Sequence, residues 1–107
     1  MAERLFSLLG LAQRSGRLAS GHQAVEQLLA RGGCGLLIVA GDAAVRTRHG
    51  FMEQARRGQV PVLVISEMSE LGFAVGQSPR ALVAVMEGPL VEEIRRAGAD
   101  LGGVVCE

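Results

Sequence analysis

Hydrophobic residues in the first third of the chain recur at helical spacing. The first set consists of Leu5, Leu8, Leu9 and Ala12. These residues lie three or four positions apart, which predicts a helix over roughly 3–15 with one apolar face. Gly16 suits the left-handed turn that ends a helix. A second amphipathic helix is predicted from a cap at Ser20 to residue 30 or 31, and the link at 18–19 is compatible with a short strand or a bridge.

Three apolar runs follow, at residues 36–40, 60–65 and 81–85. Such continuous runs are typical of strands that are buried on both faces. Pro61 lies at the start of the second run, where a missing N–H is tolerated. The tail at 101–106 is compatible with either an edge strand or a docked extension.

Three further helices are predicted from their caps and glycine stops. Their bounds are Arg46 or Thr47 to Gly58, Ser66 or Ser69 to Gly76, and Pro89, at the first helical position, to Gly98. Helices that alternate with solidly apolar strands imply a sheet covered on both faces. The pattern therefore predicts one compact α/β/α sandwich.

Composition agrees with a single globular domain, because the chain has 107 residues and 49% of them are hydrophobic. No apolar run approaches the roughly 20 residues of a membrane span, and the first residues do not resemble a secretory signal. Cys34 and Cys106 are widely spaced and form no CxxC motif. We expect both to be reduced, small hydrophobic residues of a cytoplasmic protein.

The net charge of zero hides an asymmetry along the chain. Residues 1–57 contain eight arginines and four acidic residues, whereas residues 58–107 contain three arginines and seven acidic residues. Such a dipole can steer one face towards a polyanion. Charges that merely scatter over solvated faces would give the same counts.

Most residue patterns that enzymes and metal sites need are missing. All eleven basic residues are arginine, which excludes a Walker A loop, a Schiff-base lysine and a lysine general base. His22 and His49 are the only histidines, and neither has a cysteine or carboxylate at metal-ligand spacing. We expect a non-enzymatic protein without a metal or cofactor. An enzyme or small-ligand sensor with a pocket at the strand ends is the weakest alternative.

The chain offers few aromatic side chains for stacking on bases. Tryptophan and tyrosine are absent, and the aromatic residues are Phe6, Phe51 and Phe73. Phe6 and Phe51 lie on or beside apolar faces and are expected in the core. If the protein binds RNA, it should therefore use backbone amides, arginines and amide side chains on a folded RNA.

The turn between the first two helices carries the best functional clue. Arg14 and Arg17 flank Ser15 and Gly16, and the next helix starts at Ser20 and Gly21. A helix start leaves N–H groups unpaired and carries partial positive charge, which favours anions. Nearby arginines would suit a nucleic-acid backbone. The alternative is a helix hairpin with ordinary surface arginines.

Three segments are informative when they are taken together, namely Leu8 to Leu18, Ser20 to Val25 and Glu70 to Gly76. They resemble the L7Ae/L30e ribosomal-protein family, in particular its bacterial YlxQ-like branch. The resemblance covers roughly residues 4–97. It implies a single domain over 1–107, a three-layer α/β/α sandwich with a mixed, mostly buried four-stranded sheet. It also implies binding to kink-turn or similarly structured RNA, either ribosomal RNA or another RNA, and association with a ribosomal particle.

The resemblance also assigns roles at the start of the second helix. In the family, a Gly-x-Asn-Glu-x-x-Lys segment contacts the tandem G·A pairs of the kink. Gly21 matches the glycine, Gln23 replaces the asparagine, Ala24 replaces the glutamate and Gln27 replaces the lysine. Each lost base contact would cost about 1–3 kcal/mol. A protein-interaction or assembly module that has lost kink-turn recognition is the alternative.

The predicted RNA-binding end combines four places in the chain. Its residues are Arg14, Arg17, Gly21, His22, Gln23, Gln27, Asp42, Arg46 and Arg80. The four arginines would position phosphates, the two glutamines would contact base edges, and His22 would add a phosphate contact. Gly21 would let RNA approach the backbone, and Asp42 would line the same end.

Overall fold

The computed structural model describes residues 2–106 and contains five helices and five strands in alternation. The helices are α1 (Glu3–Arg14), α2 (His22–Arg31), α3 (Val45–Arg57), α4 (Met68–Ala74) and α5 (Leu90–Asp100). The strands are β1 (Leu18–Ser20), β2 (Cys34–Val39), β3 (Val62–Val64), β4 (Leu82–Met86) and β5 (Val104–Cys106). All five helices and all four strands expected before the tail are therefore present.

The strands form one mixed sheet in the order β1-β4-β2-β3-β5. Only β2 and β3 run parallel, and the other neighbours are antiparallel. All six residues of β2 are buried. Because successive side chains of a strand point to opposite faces, layers on both sides must cover this sheet. The predicted α/β/α sandwich is confirmed.

The sheet has five strands, one more than the four that were predicted. The tail supplies the fifth, since Val104 pairs with Val64 in antiparallel register. The chain reaches this edge through Gly103, whose N–H donates to the Gly98 carbonyl at 2.9 Å. The sequence of the tail was compatible with both an edge strand and a docked extension. A strand of three residues has too few positions for its hydrophobic pattern to favour one of them.

Two groups of helices cover the sheet. α1 packs against α4 and α5, and α2 packs against α3 and β4. The core between them contains no buried polar or charged residue in the described part of the chain. Phe51 belongs to this core, and Phe6 is half-buried against it.

Cys34 is a buried free thiol at the start of β2, as expected for a small hydrophobic residue. Burial raises the pKa of the Cys34 thiol to about 11, so the reactive thiolate is disfavoured. The expectation for the Cys106 side chain lies outside the described residues.

Several helix ends differ from their predicted caps. Ser20 is the last residue of β1, paired with Val83, and Gly21 takes the cap position of α2. The residue that precedes α4 is Glu67, whereas Ser66 or Ser69 was predicted as the cap. The Glu67 N–H donates to the Glu70 carboxylate at 2.9 Å. A glutamate pair can replace a serine cap because any well-placed side-chain oxygen satisfies the free N–H groups.

The last helix also differs from the prediction at both ends. Pro89 is the residue before the helix, and α5 continues past Gly98 to Asp100. Gly98 does not stop the helix, because it is a packing position: a Cβ there would collide with the Leu63 side chain. Close helix–strand contact is thus the reason for this glycine. No helix in the described part of the chain is long and apolar enough to cross a membrane.

Candidate nucleic-acid interface

An open cleft lies where β1 ends and α2 begins. Its volume is about 490 Å³, and its walls are residues 20–24, Met68 and residues 79–81. Four predicted site residues line it, namely Gly21, His22, Gln23 and Arg80. The pairing of β1 with β4 creates this meeting point, because the Gly21 N–H donates to the Leu82 carbonyl at 3.0 Å.

Gly21 turns the chain from the strand into the helix. Its φ of 92° and ψ of 164° are disfavoured for any residue with a Cβ. No side chain caps α2, and its first turn contains no acidic residue. The first N–H groups of α2 therefore lack intrahelical acceptors and give this corner partial positive charge.

Arg80 brings a full positive charge to the same corner. Its Nε lies 3.8 Å from the point where a Cβ of Gly21 would stand. The loop holds the guanidinium: Nη1 donates to Ser78 Oγ at 2.8 Å, and Nη2 donates to Gln77 Oε1 at 3.2 Å. Nε is buried and has no hydrogen-bond partner among the residues described. These contacts fix the cation without neutralising it.

His22 connects the start of α2 with α3. Its ring packs edge-on against Phe51, with ring centroids 5.6 Å apart, and its Nε2 lies 3.5 Å from Thr47 Oγ1. Arg46, the residue before Thr47, is exposed in the first turn of α3. Arg46 therefore lies near the same end of α2. Gln27 is exposed on α2, one turn after Gln23 and on the same face.

Asp42 has a structural partner at this edge of the sheet. Its Oδ1 accepts a hydrogen bond from the Met68 N–H at 2.8 Å. The carboxylate therefore holds the start of α4, and Met68 lines the cleft. Asp42 lies at the end of the molecule where it was predicted. Its hydrogen bond is to the backbone of Met68, which forms part of the cleft wall.

The structure does not bring Arg14 and Arg17 into the cleft. β1 runs from Leu18 to Ser20, so Arg17 and Gly21 lie at opposite ends of an extended segment, about 13 Å apart at about 3.3 Å per residue. The Arg17 carbonyl accepts from the Met86 N–H at 2.9 Å. Its guanidinium Nη1 lies 2.8 Å from the point where a Cβ of Gly88 would stand.

Arg14 lies in a second pocket, between α1 and α4. This pocket has a volume of about 300 Å³ and shares no lining residue with the cleft. Its walls are Phe6, Ser7, Gly10, Arg14, Phe73 and Ala74. The predicted single binding end is therefore divided, because Arg80 and the start of α2 line the cleft, Arg14 lines the second pocket and Arg17 lines neither.

Comparison with known proteins assigns the fold to a family. The model of the ribosomal protein L7Ae/L30e/S12e/Gadd45 family matches residues 3–90. The chain belongs to this family. It is 28% identical over 82 residues to the RNA-binding protein YlxQ of Bacillus subtilis, covering 77% of this chain and 82% of that protein. The predicted membership, including the YlxQ-like branch, is confirmed.

Solved structures of this L7Ae-family fold agree with the architecture. A protein of unknown function from Bacillus halodurans superposes with a TM-score of 0.85 at 27% identity, covering 90% of this chain and 97% of that chain. The Giardia lamblia 15.5kD RNA binding protein superposes with a TM-score of 0.77 at 21% identity, covering 92% and 88%. The second likeness establishes the shared fold alone.

The arginines of this L7Ae-family chain divide into paired and unpaired groups. Arg56 and Arg57 pair with Glu53, and Arg95 and Arg96 pair with Glu92. These pairs hold the pKa of both glutamates below the usual range. Within residues 2–106, no ion pair neutralises the four arginines of the predicted site.

Sequence reasoning missed Met68 and Phe73. Met68 lines the cleft through its place at the start of α4, which only the fold reveals. Phe73 is 84% exposed, and a local signal was present: it lies two residues after the buried Leu71, on the opposite side of α4. An aromatic ring is therefore available on the surface after all.

Proposed function

We propose that this chain binds structured RNA without catalysing a reaction, and that the cleft at the start of α2 is its principal site. The observation that carries the proposal is the fixed, unneutralised guanidinium of Arg80 beside the uncapped start of α2. Phosphates are favoured at such a corner because the free N–H groups and the cation act together. YlxQ of Bacillus subtilis, described as an RNA-binding protein, supports this assignment.

Each residue of the proposed site has a distinct role. Arg80 and Arg46 contact phosphates, with His22 as a further contact, and Gly21 allows the RNA backbone to approach the first turn of α2. Gln23 and Gln27 face base edges from one side of the helix. Asp42 acts through Met68, and Arg17 is left out because it packs beside Gly88.

The proposed target is an RNA with a kink-turn or a similarly bent shape, in a ribosomal particle of the cytoplasm. The cleft offers backbone amides, an arginine and amide side chains instead of an aromatic platform, which suits recognition of RNA by shape. Ala24 and Gln27 stand where the family has a glutamate and a lysine. Of the family's contacts to the kink, this chain therefore retains the glycine and, in Gln23, an amide side chain.

The test is a fluorescence-anisotropy titration with a blunt kink-turn duplex and an unkinked duplex of the same composition. We expect tighter binding to the kinked RNA and an affinity that falls as salt rises, because bound phosphates release counterions. Arg31→Gln, an exposed arginine in the last turn of α2, is the matched control for Arg80→Gln. Equal affinity for both duplexes would reject the kink-turn proposal.

A second candidate function is a protein-interaction or assembly module with the same fold. The observation that favours it is the absence of both charged family side chains at Ala24 and Gln27. Affinity capture from lysate, with and without ribonuclease, separates the two functions. Partners that survive digestion are held by protein contacts, whereas partners that disappear are held through RNA.

A further inference from the structure

We propose that the pocket between α1 and α4 binds one unpaired nucleotide of the RNA, with its base stacked on Phe73 and a phosphate paired with Arg14. This inference rests on the proposed function, because it extends the RNA contact beyond the cleft. It assigns a ligand to a surface that the cleft does not use.

Phe73 provides the stacking platform. Its side chain is 84% exposed, the largest exposed fraction among the exposed large hydrophobic residues of the described chain. The half-buried Phe6 lies in the same pocket. A base can therefore cover the Phe73 ring and meet a second aromatic side chain at the pocket wall, the arrangement by which proteins hold unstacked bases.

Arg14 supplies the matching charge. Its Nη1 lies 3.2 Å from the point where a Cβ of Gly10 would stand, so the guanidinium lies along α1 beside the pocket. It forms no ion pair with a carboxylate in the part of the chain that the structure describes. An aromatic face beside an unneutralised guanidinium complements a nucleotide, which has a flat apolar base and an anionic phosphate.

The position of α4 connects this pocket to the cleft. Met68 lines the cleft, and Phe73 lines the pocket five residues later. At about 1.5 Å per residue, this separation is about 8 Å along the helix axis. Phe73 also lies about 140° farther around the helix, at about 100° per residue, so an RNA strand that leaves the cleft would reach Phe73 by following the surface around α4. A protein partner would usually need an interface of about 800 Å² on this side, and a single exposed ring beside a cation fits one nucleotide better.

The experiment compares labelled kink-turn duplexes that are blunt or carry three unpaired adenosines at one strand end, each end being tested in turn. We expect one extended RNA to bind the wild-type protein about fivefold or more tightly than the blunt RNA. Phe73→Ala should remove this gain in affinity from the unpaired adenosines. The affinity of the same variant for the blunt kink-turn RNA should be unchanged. Phe73→Trp should keep the gain because it retains an aromatic face.

Control variants separate stacking from a general surface effect. Val104→Ala truncates another exposed hydrophobic residue, 60% exposed at the sheet edge, and should change neither affinity. Arg14→Gln should reduce the gain and flatten its salt dependence. Circular dichroism and thermal melting verify that each variant is folded.

The outcomes distinguish this inference from the proposed function. If the blunt kink-turn binds but no extension helps, or if Phe73→Ala retains the gain, the nucleotide pocket is overturned and the cleft stands. If the wild-type protein does not prefer the kinked duplex, the proposed function fails, and this inference fails with it. If Phe73→Ala releases a captured protein without changing RNA affinity, the pocket belongs to a protein partner and the proposal is overturned.

Discussion

The cleft at the start of α2 and the pocket between α1 and α4 both present an arginine that no carboxylate of residues 2–106 neutralises. In the cleft, Arg80 is held by Ser78 and Gln77 beside backbone N–H groups. In the pocket, the exposed Arg14 at the end of α1 lines the same wall region as Phe73 of α4. We therefore proposed a phosphate backbone as the ligand of the first surface and a base as the ligand of the second.

The comparison teaches that neighbouring positions in the sequence need not share a site. Arg14 and Arg17 lie three residues apart, yet one faces α4 and the other packs beside Gly88. Arg80 is far from both in sequence but lies against Gly21. Arg14, Arg17 and Gly21 lie close together in the sequence. In the structure, the turn before β1 and the extended strand β1 separate both arginines from Gly21.

The largest expected effect comes from a substitution at Gly72, which packs against the backbone of the loop that carries Arg80. A Cβ at Gly72 would collide with the backbone of Ser78 and Pro79. Gly72→Ala should therefore lower the free energy of unfolding by about 3 kcal/mol and weaken RNA binding at the cleft. Thermal melting measures the loss. Gly50→Ala is the control, because its new Cβ would meet no described atom within 4 Å apart from its chain neighbours and the adjoining backbone of α3. A higher melting temperature is expected for this variant.

The next effect separates the two arginines. Arg80→Gln should weaken binding to the blunt kink-turn by about 10- to 150-fold, equivalent to the loss of a charged hydrogen bond of about 1.5–3 kcal/mol. Arg14→Gln should change the blunt affinity less than about twofold, as expected for an exposed cation outside the main contact. Anisotropy titrations measure both. Equal losses would mean that the two surfaces act as one.

Gly21→Ala tests whether the backbone itself forms the contact. The left-handed φ of 92° should make this change cost about 1–2 kcal/mol of folding free energy, while the new Cβ meets Arg80 only at an ordinary 3.8 Å. RNA affinity should fall at the cleft, with the Phe73-dependent gain retained. A variant that melts lower but binds RNA as tightly as the wild type would exclude close approach to Gly21.

The smallest effect is expected at Asp42, which holds the cleft residue Met68 through a hydrogen bond to its backbone. Asp42→Ala removes the acceptor for the Met68 N–H and should lower the melting temperature by a few degrees, corresponding to about 1 kcal/mol. Asp42→Asn retains an oxygen acceptor and should be nearly as stable as the wild type. If Asp42 contacts RNA directly, Asp42→Asn should lower the RNA affinity although its stability is nearly that of the wild type.

Most of the fold was predictable because the apolar patterns are strong. The unbroken run at 36–40 predicted β2, and helical spacing in residues 3–15 predicted α1 to within one residue at its end. The caps were harder, because several residue types can satisfy the same free N–H groups. The glutamate pair at α4 and the packing role of Gly98 depend on neighbours that are distant in sequence.

The candidate site was predictable where the family resemblance supplied it. Gly21 was identified because it matches the glycine of the family's segment at the start of the second helix. The strand-to-helix corner with a φ of 92°, which disfavours a residue with a Cβ, appears only in the structure. The separation of Arg17 from Gly21 depends on β1 being extended, and three residues are too few to predict that with assurance. The exposed ring of Phe73 had a signal in the periodicity of α4, but its place in one pocket with Arg14 depends on the packing of α1 against α4.

The buried thiol of Cys34 gives this molecule an internal reporter of opening. Since the pKa of about 11 keeps it protonated inside the folded chain, an alkylating reagent can modify it only when β2 leaves the sheet. The rate at which Cys34 is alkylated at neutral pH would then measure how often β2 leaves the sheet. Any RNA that joins β1 to the loop before β4 should make this opening rarer.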